Sequence, residues 1–211
     1  GGGDAAGITR IPSVPSSAPK LSDEDLEAKR AGLKAASKLL EAKFEGDVSV
    51  MHLACNSEGP ELLEFLIRET SAPSFEESDS DPPLWRTLVM SEDSNSATPL
   101  WLACSQGNLS IVTRLLKALQ RSDQVRGTND LRRILGMKHG NGQSCLHAAA
   151  VRGNLEVVSK LCDNGCDNVF EVDASGATPF LRAVEKGNIR CAEFLLGVAQ
   201  DRRGEIGAAQ V

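Results

Sequence analysis

One passage of this chain is written twice. Residues 142–162 and 176–196 align at an offset of 34 residues, so that Gly153-Asn154 falls on Gly187-Asn188. A third copy lies upstream at Ala97-Thr98-Pro99-Leu100-Trp101-Leu102-Ala103-Cys104, followed by Gly107-Asn108 and by Ile111, Val112, Leu115 and Leu116. A fourth, degenerate copy runs from Val50 to Cys55 and on through Leu62, Leu63, Phe65, Leu66 and Ile67. A fixed period of this length predicts stacked units rather than one closed globular core. Each unit has apolar surface on both flanks, so it is stable only against neighbours.

The residues within each copy predict a helix, a tight turn and a second helix. Thr98 and Thr178 suit a helix N-cap, and Pro99 and Pro179 suit the first helical position, where the missing N–H would be unpaired anyway. Small residues follow (Ala103, Ala148 to Ala150, Ala183) and allow close helix approach. Gly107, Gly153 and Gly187 then end the helix where the turn needs positive φ. The second helix has apolar residues at helical spacing: Leu155, Val158 and Leu161 in one copy, Ile189, Ala192 and Leu195 in the next.

These motifs resemble the ankyrin repeat. Thr98-Pro99-Leu100 and Thr178-Pro179-Phe180 are similar to that family's Thr-Pro-Leu-His signature, and His147 stands where the signature has its His. Trp101 and Leu181 depart from it. Gly165-Cys166-Asp167 resembles the Gly-Ala-Asp that closes each repeat. The resemblance implies an all-α ankyrin-repeat solenoid of helix-turn-helix units with projecting loops or short hairpins. It also implies that His52 and His147 make structural hydrogen bonds between loop and helix.

On this reading residues 1–21 are a disordered segment rich in Gly, Ser, Pro and Ala. Residues 22–46 form an N-terminal capping helix with Leu26, Leu33, Ala36, Leu40 and Phe44 at helical spacing. The repeats occupy about 47–68, 94–118, 140–168 and 173–197 of a domain spanning 47–197, and 198–211 are a flexible tail. Two insertions break the period, and both are expected as loops, at 69–93 and 119–139. They differ in charge. Residues 68–93 carry seven acids against two bases, and residues 117–140 carry six bases against two acids. Such runs are either solvated loops or a bipolar edge whose two fingers touch one another or face one partner. Within the acidic insertion, Leu84 to Met90 has β character, and Trp85 is a candidate exposed anchor. Ser74 and Ser78 sit in contexts that suit acid-directed kinases.

Composition narrows the function classes. The net charge of −6 argues against nucleic acid as the main partner. No run approaches the ~18–20 apolar residues of a membrane span, and Gly1-Gly2-Gly3-Asp4 starts no secretory leader. The six cysteines sit mostly at positions expected to be buried, which fits reduced thiols in the cytoplasm or nucleus. Cys162-x3-Cys166 with Cys191 or His147 lacks a second ligand pair at a zinc-like interval, so no metal is expected. No phosphate-binding loop, metalloprotease helix or nucleophile elbow is present, and no catalytic residue or cofactor is expected.

The resemblance implies a non-catalytic scaffold or adaptor that binds a protein partner through a concave groove and finger loops, with no small-molecule substrate. The chain on its own is expected to be a monomer. Carried onto this sequence, the groove positions are Ser105, Gln106, Gln143, Val151, Arg152, Ala177, Glu185 and Lys186. Arg132 and Arg133 of the basic insertion and Trp85 of the acidic one complete the candidate contact set. Two narrower roles compete: a dedicated chaperone or assembly factor for a basic client, and the targeting domain of a larger enzyme such as a ubiquitin ligase.

Overall fold

The computed structural model describes residues 42–57, 59–70, 84–166 and 168–208, together with Leu40. The expected disordered segment, most of the expected capping helix, and Ser74 and Ser78 lie outside the described residues. Ten α-helices are described: α1 Val50–Cys55, α2 Glu61–Thr70, α3 Leu84–Val89, α4 Pro99–Gln106, α5 Leu109–Arg126, α6 Asp130–Gly136, α7 Cys145–Arg152, α8 Leu155–Asp163, α9 Pro179–Glu185 and α10 Ile189–Ala208. A 3₁₀ turn occupies Asn168–Phe170. The one β feature among the described residues is an isolated bridge between Phe44 and Val48.

The local rules hold. Thr98 and Thr178 cap α4 and α9 by accepting from the Trp101 and Leu181 backbone N–H groups, with Pro at the first turn in both. Gly107 and Gly153 close α4 and α7 in the left-handed region, at φ 73° and 81°. The short helices α1, α4, α7 and α9 stack in sequence on one side, and α2, α5, α8 and α10 stack on the other. Between the rows runs one continuous apolar core that includes Met51, Leu63, Leu100, Ile111, Leu115, Leu146, Leu161 and Leu195. Burying an aliphatic side chain of this size stabilises by roughly 1.5–3 kcal/mol, so the seams between units carry much of the stability.

The asparagines after the turn glycines serve as helix caps and as ties between units. Asn108 and Asn154 accept from Ile111 N and Val157 N, which caps α5 and α8. Asn154 also donates to the Gly107 carbonyl at 2.7 Å, and Asn188 donates to Ala150 and Val151 carbonyls at 2.8 and 2.9 Å. The Gly-Asn pair therefore ties each turn to the preceding unit.

Several sequence expectations are corrected. The insertion expected as a loop over 119–139 is helical. Helix α5 continues to Arg126, and Asp123 then accepts from the Asp130 and Leu131 N–H groups, capping α6. Leu131, Ile134 and Leu135 sit on one side of α6 at helical spacing and join the core. The segment expected to have β character is α3, with Leu84, Trp85, Leu88 and Val89 buried. Trp85 is 6% exposed, so it is a core residue and not a surface anchor. The rest of the 69–93 insertion, 71–83, lies outside the described residues.

The two insertions do touch, with the charges reversed from the bulk of each. Arg86 of the acidic insertion donates from Nη2 to Asp130 Oδ1 at 2.6 Å, and its Nε lies 2.6 Å from Oδ2. Asp130 is nearly sealed from solvent, so this pair fastens α3 to α6 from within the fold. The capping helix expected to reach residue 46 does not: Phe44 N donates to Val48 O at 2.8 Å around Gly46 and Asp47, both at positive φ, which makes a turn. The tail expected to be flexible from 198 continues α10 to Ala208, with Val198 packed against the core.

Candidate partner-binding surface

Four tight turns project between the helix pairs, at 44–48, 93–97, 139–143 and 173–177. In each, the first residue's N–H donates to the carbonyl of the fifth: Phe44 to Val48, Asp93 to Ala97, His139 to Gln143 and Asp173 to Ala177, at 2.8–3.0 Å. Side chains brace three of them. Asp93 Oδ1 accepts from Asn95 N and Ala97 N, and Asp173 Oδ1 accepts from Ser175 N and Ala177 N. In the third turn Asn141 Oδ1 accepts from Gln143 N. Neighbouring tips are joined by backbone bonds: Ser94 N to Gly46 O, Gly140 N to Asn95 O and Ala174 N to Asn141 O, at 2.8–3.0 Å. The fingers are thus one hydrogen-bonded ladder.

A second set of bonds ties fingers to helices. His52 Nδ1 accepts from Ser49 N at 3.2 Å, and Nε2 donates to Ala97 O at 2.9 Å. His147 repeats this with Ser144 N at 3.2 Å and Ala177 O at 3.0 Å. Each ring is fully buried, and one nitrogen must accept while the other donates, which fixes the neutral form. Burial lowers both pKa values below the ordinary histidine value, and the bonds to Ala97 and Ala177 offset only part of that. Trp101 replaces the histidine in the second unit. Its ring stacks on His139 of the next finger at 4.2 Å between centroids and 12° between planes.

In the last unit Arg182 performs the bracing. It donates from Nε to Asp173 Oδ2 at 2.7 Å, and also bonds Ser175 and Glu185. Burial alone would raise the Asp173 carboxyl, but bonds from Ser175, Arg182 and Ala177 outweigh it and hold it well below the usual carboxylate range.

On this framework the inner helices α4, α7 and α9 end in a row of equivalent positions. Ser105, Val151 and Glu185 form one line, and Gln106, Arg152 and Lys186 form the next. The second line is exposed throughout. Gln106 donates to Asn56 Oδ1 at 3.1 Å, which ties the row to the first unit, where Asn56 stands at the position of Ser105. Asn56 was not singled out from sequence, because the degenerate first copy hides its register. Gln143 is half-buried at the base of the third finger. Ala177 is buried, and its carbonyl is the acceptor for His147, so it is part of the scaffold rather than a contact residue. Arg132 and Arg133 are exposed, but on helix α6 and not on a finger loop.

Buried His52, His147, Asp130 and Asp173 are held in structural bonds, whereas Trp101 Nε1 and Ser122 Oγ are buried without a hydrogen-bond partner among the described residues. Among the described residues no group of three or more His, Cys, Asp or Glu is placed to hold a metal ion. The six cysteines are free thiols. Cys104 hydrogen-bonds Cys145 across the seam between α4 and α7, and that contact, with burial, raises its pKa well above the ordinary thiol value. Such a thiol is an inert core group. Among the described residues no helix is long and apolar enough to cross a membrane.

Stacked helix pairs joined through a ladder of finger turns define a solenoid repeat protein. The model for ankyrin repeats in three copies matches residues 125–203, and the single ankyrin-repeat model matches residues 95–123. The chain belongs to the ankyrin repeat family. It is 36% identical over 117 residues to NF-kappa-B inhibitor alpha of Sus scrofa, covering 56% of this chain and 30% of that protein. It is 30% identical over 118 residues to the probable 26S proteasome regulatory subunit p28 of Saccharomyces cerevisiae, covering 53% and 46%. It is 34% identical over 70 residues to the E3 ubiquitin-protein ligase KEG of Arabidopsis thaliana, covering 33% and 4%. The chain therefore spans less than half the length of each of these relatives.

Proposed function

We propose that this chain is a non-catalytic regulatory module that binds a protein through the row of inner-helix ends and the finger tips. The observation that carries this reading is the row itself. Equivalent positions bear Gln106, Arg152 and Lys186, all exposed, with exposed Asn56 of the first unit bonded alongside, on a backbone fixed by the finger ladder. Side chains at these positions are not used to hold the fold together beyond the Gln106–Asn56 bond, and a rigid frame spares the ordering cost of binding. Similarity to an inhibitor and to a probable regulatory subunit supports a role in controlling another protein.

The row becomes basic towards the last unit although the whole chain is acidic. The favoured contact is therefore a partner segment carrying Asp or Glu. This is the reverse of what a chaperone for a basic client would present there. The match to a ubiquitin ligase favours, as a second reading, that the same surface serves as the targeting part of a larger assembly. Affinity capture with the unaltered chain and with an Arg152→Glu, Lys186→Glu variant tests the proposal. A stoichiometric protein held by the first and lost at least roughly tenfold by the second is expected, about 1.4 kcal/mol. Equal retention by a correctly folded variant refutes the row as the contact surface, and tighter retention assigns a basic client.

A further inference from the structure

The last repeat ends in a face built like an internal seam. At an offset of 34, Leu181 corresponds to His147, Val184 to Ala150, Ile189 to Leu155 and Leu196 to Cys162. In the third repeat His147 and Ala150 are fully buried and Leu155 and Cys162 are half-buried under the fourth. In the fourth repeat the same four positions are apolar and open: Leu181 45%, Val184 52%, Ile189 68% and Leu196 47% exposed. On α10, exposed Ile189, Glu193 and Leu196 follow one another at the spacing of a single helix face, beside Ala192, which is buried in the core. Four exposed apolar residues at the positions that an internal seam covers mark an interaction surface rather than scattered exposure.

The charges around the patch select the occupant. Exposed Arg190 and Glu193 on α10, and Lys186 and Glu185 at the turn before it, give the rim both signs and no net charge. A single-sign rim would repel its own copy. Here a two-fold rotation that sets α10 antiparallel to itself brings Arg190 towards the partner's Glu193 and Ile189 over the partner's Leu196, an isologous arrangement. We propose that this end face is a self-association surface on which a second copy of the chain docks about a two-fold axis. The pairing covers these four apolar residues, in place of the monomer expected from sequence. It uses α9 and α10 side chains outside the Gln106–Arg152–Lys186 row apart from Lys186 at the rim, so it does not rest on the proposed partner contact.

Sedimentation velocity of the full chain across a wide concentration range tests it. A reversible monomer–dimer equilibrium is expected, with Ile189→Glu weakening it by at least roughly tenfold and leaving the circular dichroism spectrum unchanged. Leu53→Glu, at an exposed apolar position in the first repeat, leaves the equilibrium in place. Arg190→Glu alone weakens the dimer, and Arg190→Glu with Glu193→Arg restores it, a pattern that a merely structural effect would not produce. If Ile189→Glu does not fold, the charge exchange decides. A chain that stays monomeric at every concentration, a dimer indifferent to these substitutions, or a charge exchange that fails to restore pairing overturns the proposal.

Discussion

The third and fourth repeats are built from nearly the same pattern, yet the third is enclosed and the fourth is not. Leu161 and Leu195 are equivalent, and both are fully buried. Gly142 and Gly176 are equivalent finger glycines, at φ 77° and 81°. What differs is the next layer. His147 reaches forward to the fourth finger, whereas Leu181 in its place reaches nothing of that kind and stands in solvent. Identical local rules therefore give unequal stability, because a solenoid unit takes part of its stability from each neighbour. The pair isolates the neighbour's share.

The largest expected effect compares the two leucines. Leu161→Ala should cost about 2–5 kcal/mol, the usual range for a buried leucine, and should lower the whole unfolding transition. Leu195→Ala removes the same atoms but lets the last repeat open alone, so the global transition should move less. Hydrogen exchange should agree, with residues 178–197 exchanging faster than 144–162 in the monomer. Equal shifts for the two variants, or equal protection of the two segments at low protein concentration, would break the comparison.

The glycines sharpen it at a smaller scale. An alanine at either position carries the left-handed penalty of about 1–2 kcal/mol. At Gly142 the new Cβ would also lie 2.7 Å from the Ala174 backbone nitrogen, against the rung that joins the third finger to the fourth. At Gly176 it meets nothing within 4 Å. Gly142→Ala should therefore cost about 1 kcal/mol or more beyond Gly176→Ala, the scale of a lost or distorted hydrogen bond. Urea midpoints of the two variants measure the difference. If they coincide, the finger ladder contributes nothing to the seam.

Most of the framework was legible because its causes repeat. Thr-Pro, Gly-Asn and the buried histidine each recur at the spacing of the unit, and each has one physical task that the structure shows. The insertions were misread because their composition was louder than their pattern. Leu84, Trp85, Leu88 and Val89 already stand at helical spacing, but Trp, Thr and Val suggested a strand. In the basic insertion the two acids, Asp123 and Asp130, looked like minor exceptions to its charge. They cap α6 and pair with Arg86, so the exceptions and not the majority fix the structure there. The contact residues were legible only as positions. Gln106, Arg152 and Lys186 follow from the register of the repeat, but Ala177 shows that register alone does not separate a surface residue from a scaffold one.

The smallest expected effect is the pH response of the histidine links. His52 and His147 have folded-state pKa values below the ordinary value near ~6.5. The unfolded chain then binds protons that the folded chain refuses, so their contribution is complete above about pH 6.5 and is lost as the pH falls towards the folded values. Asp173 does not interfere in that window. Its folded pKa is also lowered, and its contribution is lost only as the pH falls below the ordinary carboxylate value of about 3.9. Urea midpoints should therefore drop between pH 7.5 and 5, roughly. The drop should shrink when His52→Gln and His147→Gln are combined, since the amide can accept and donate without titrating. The fourth repeat supplies no histidine of its own and is joined only through His147, so any pH response of its stability should follow the third repeat and not precede it. A pH-independent midpoint in the unaltered chain, or an undiminished slope in the double variant, would mean that the seams are not held in the neutral-histidine form that the Ser144 and Ala177 bonds require.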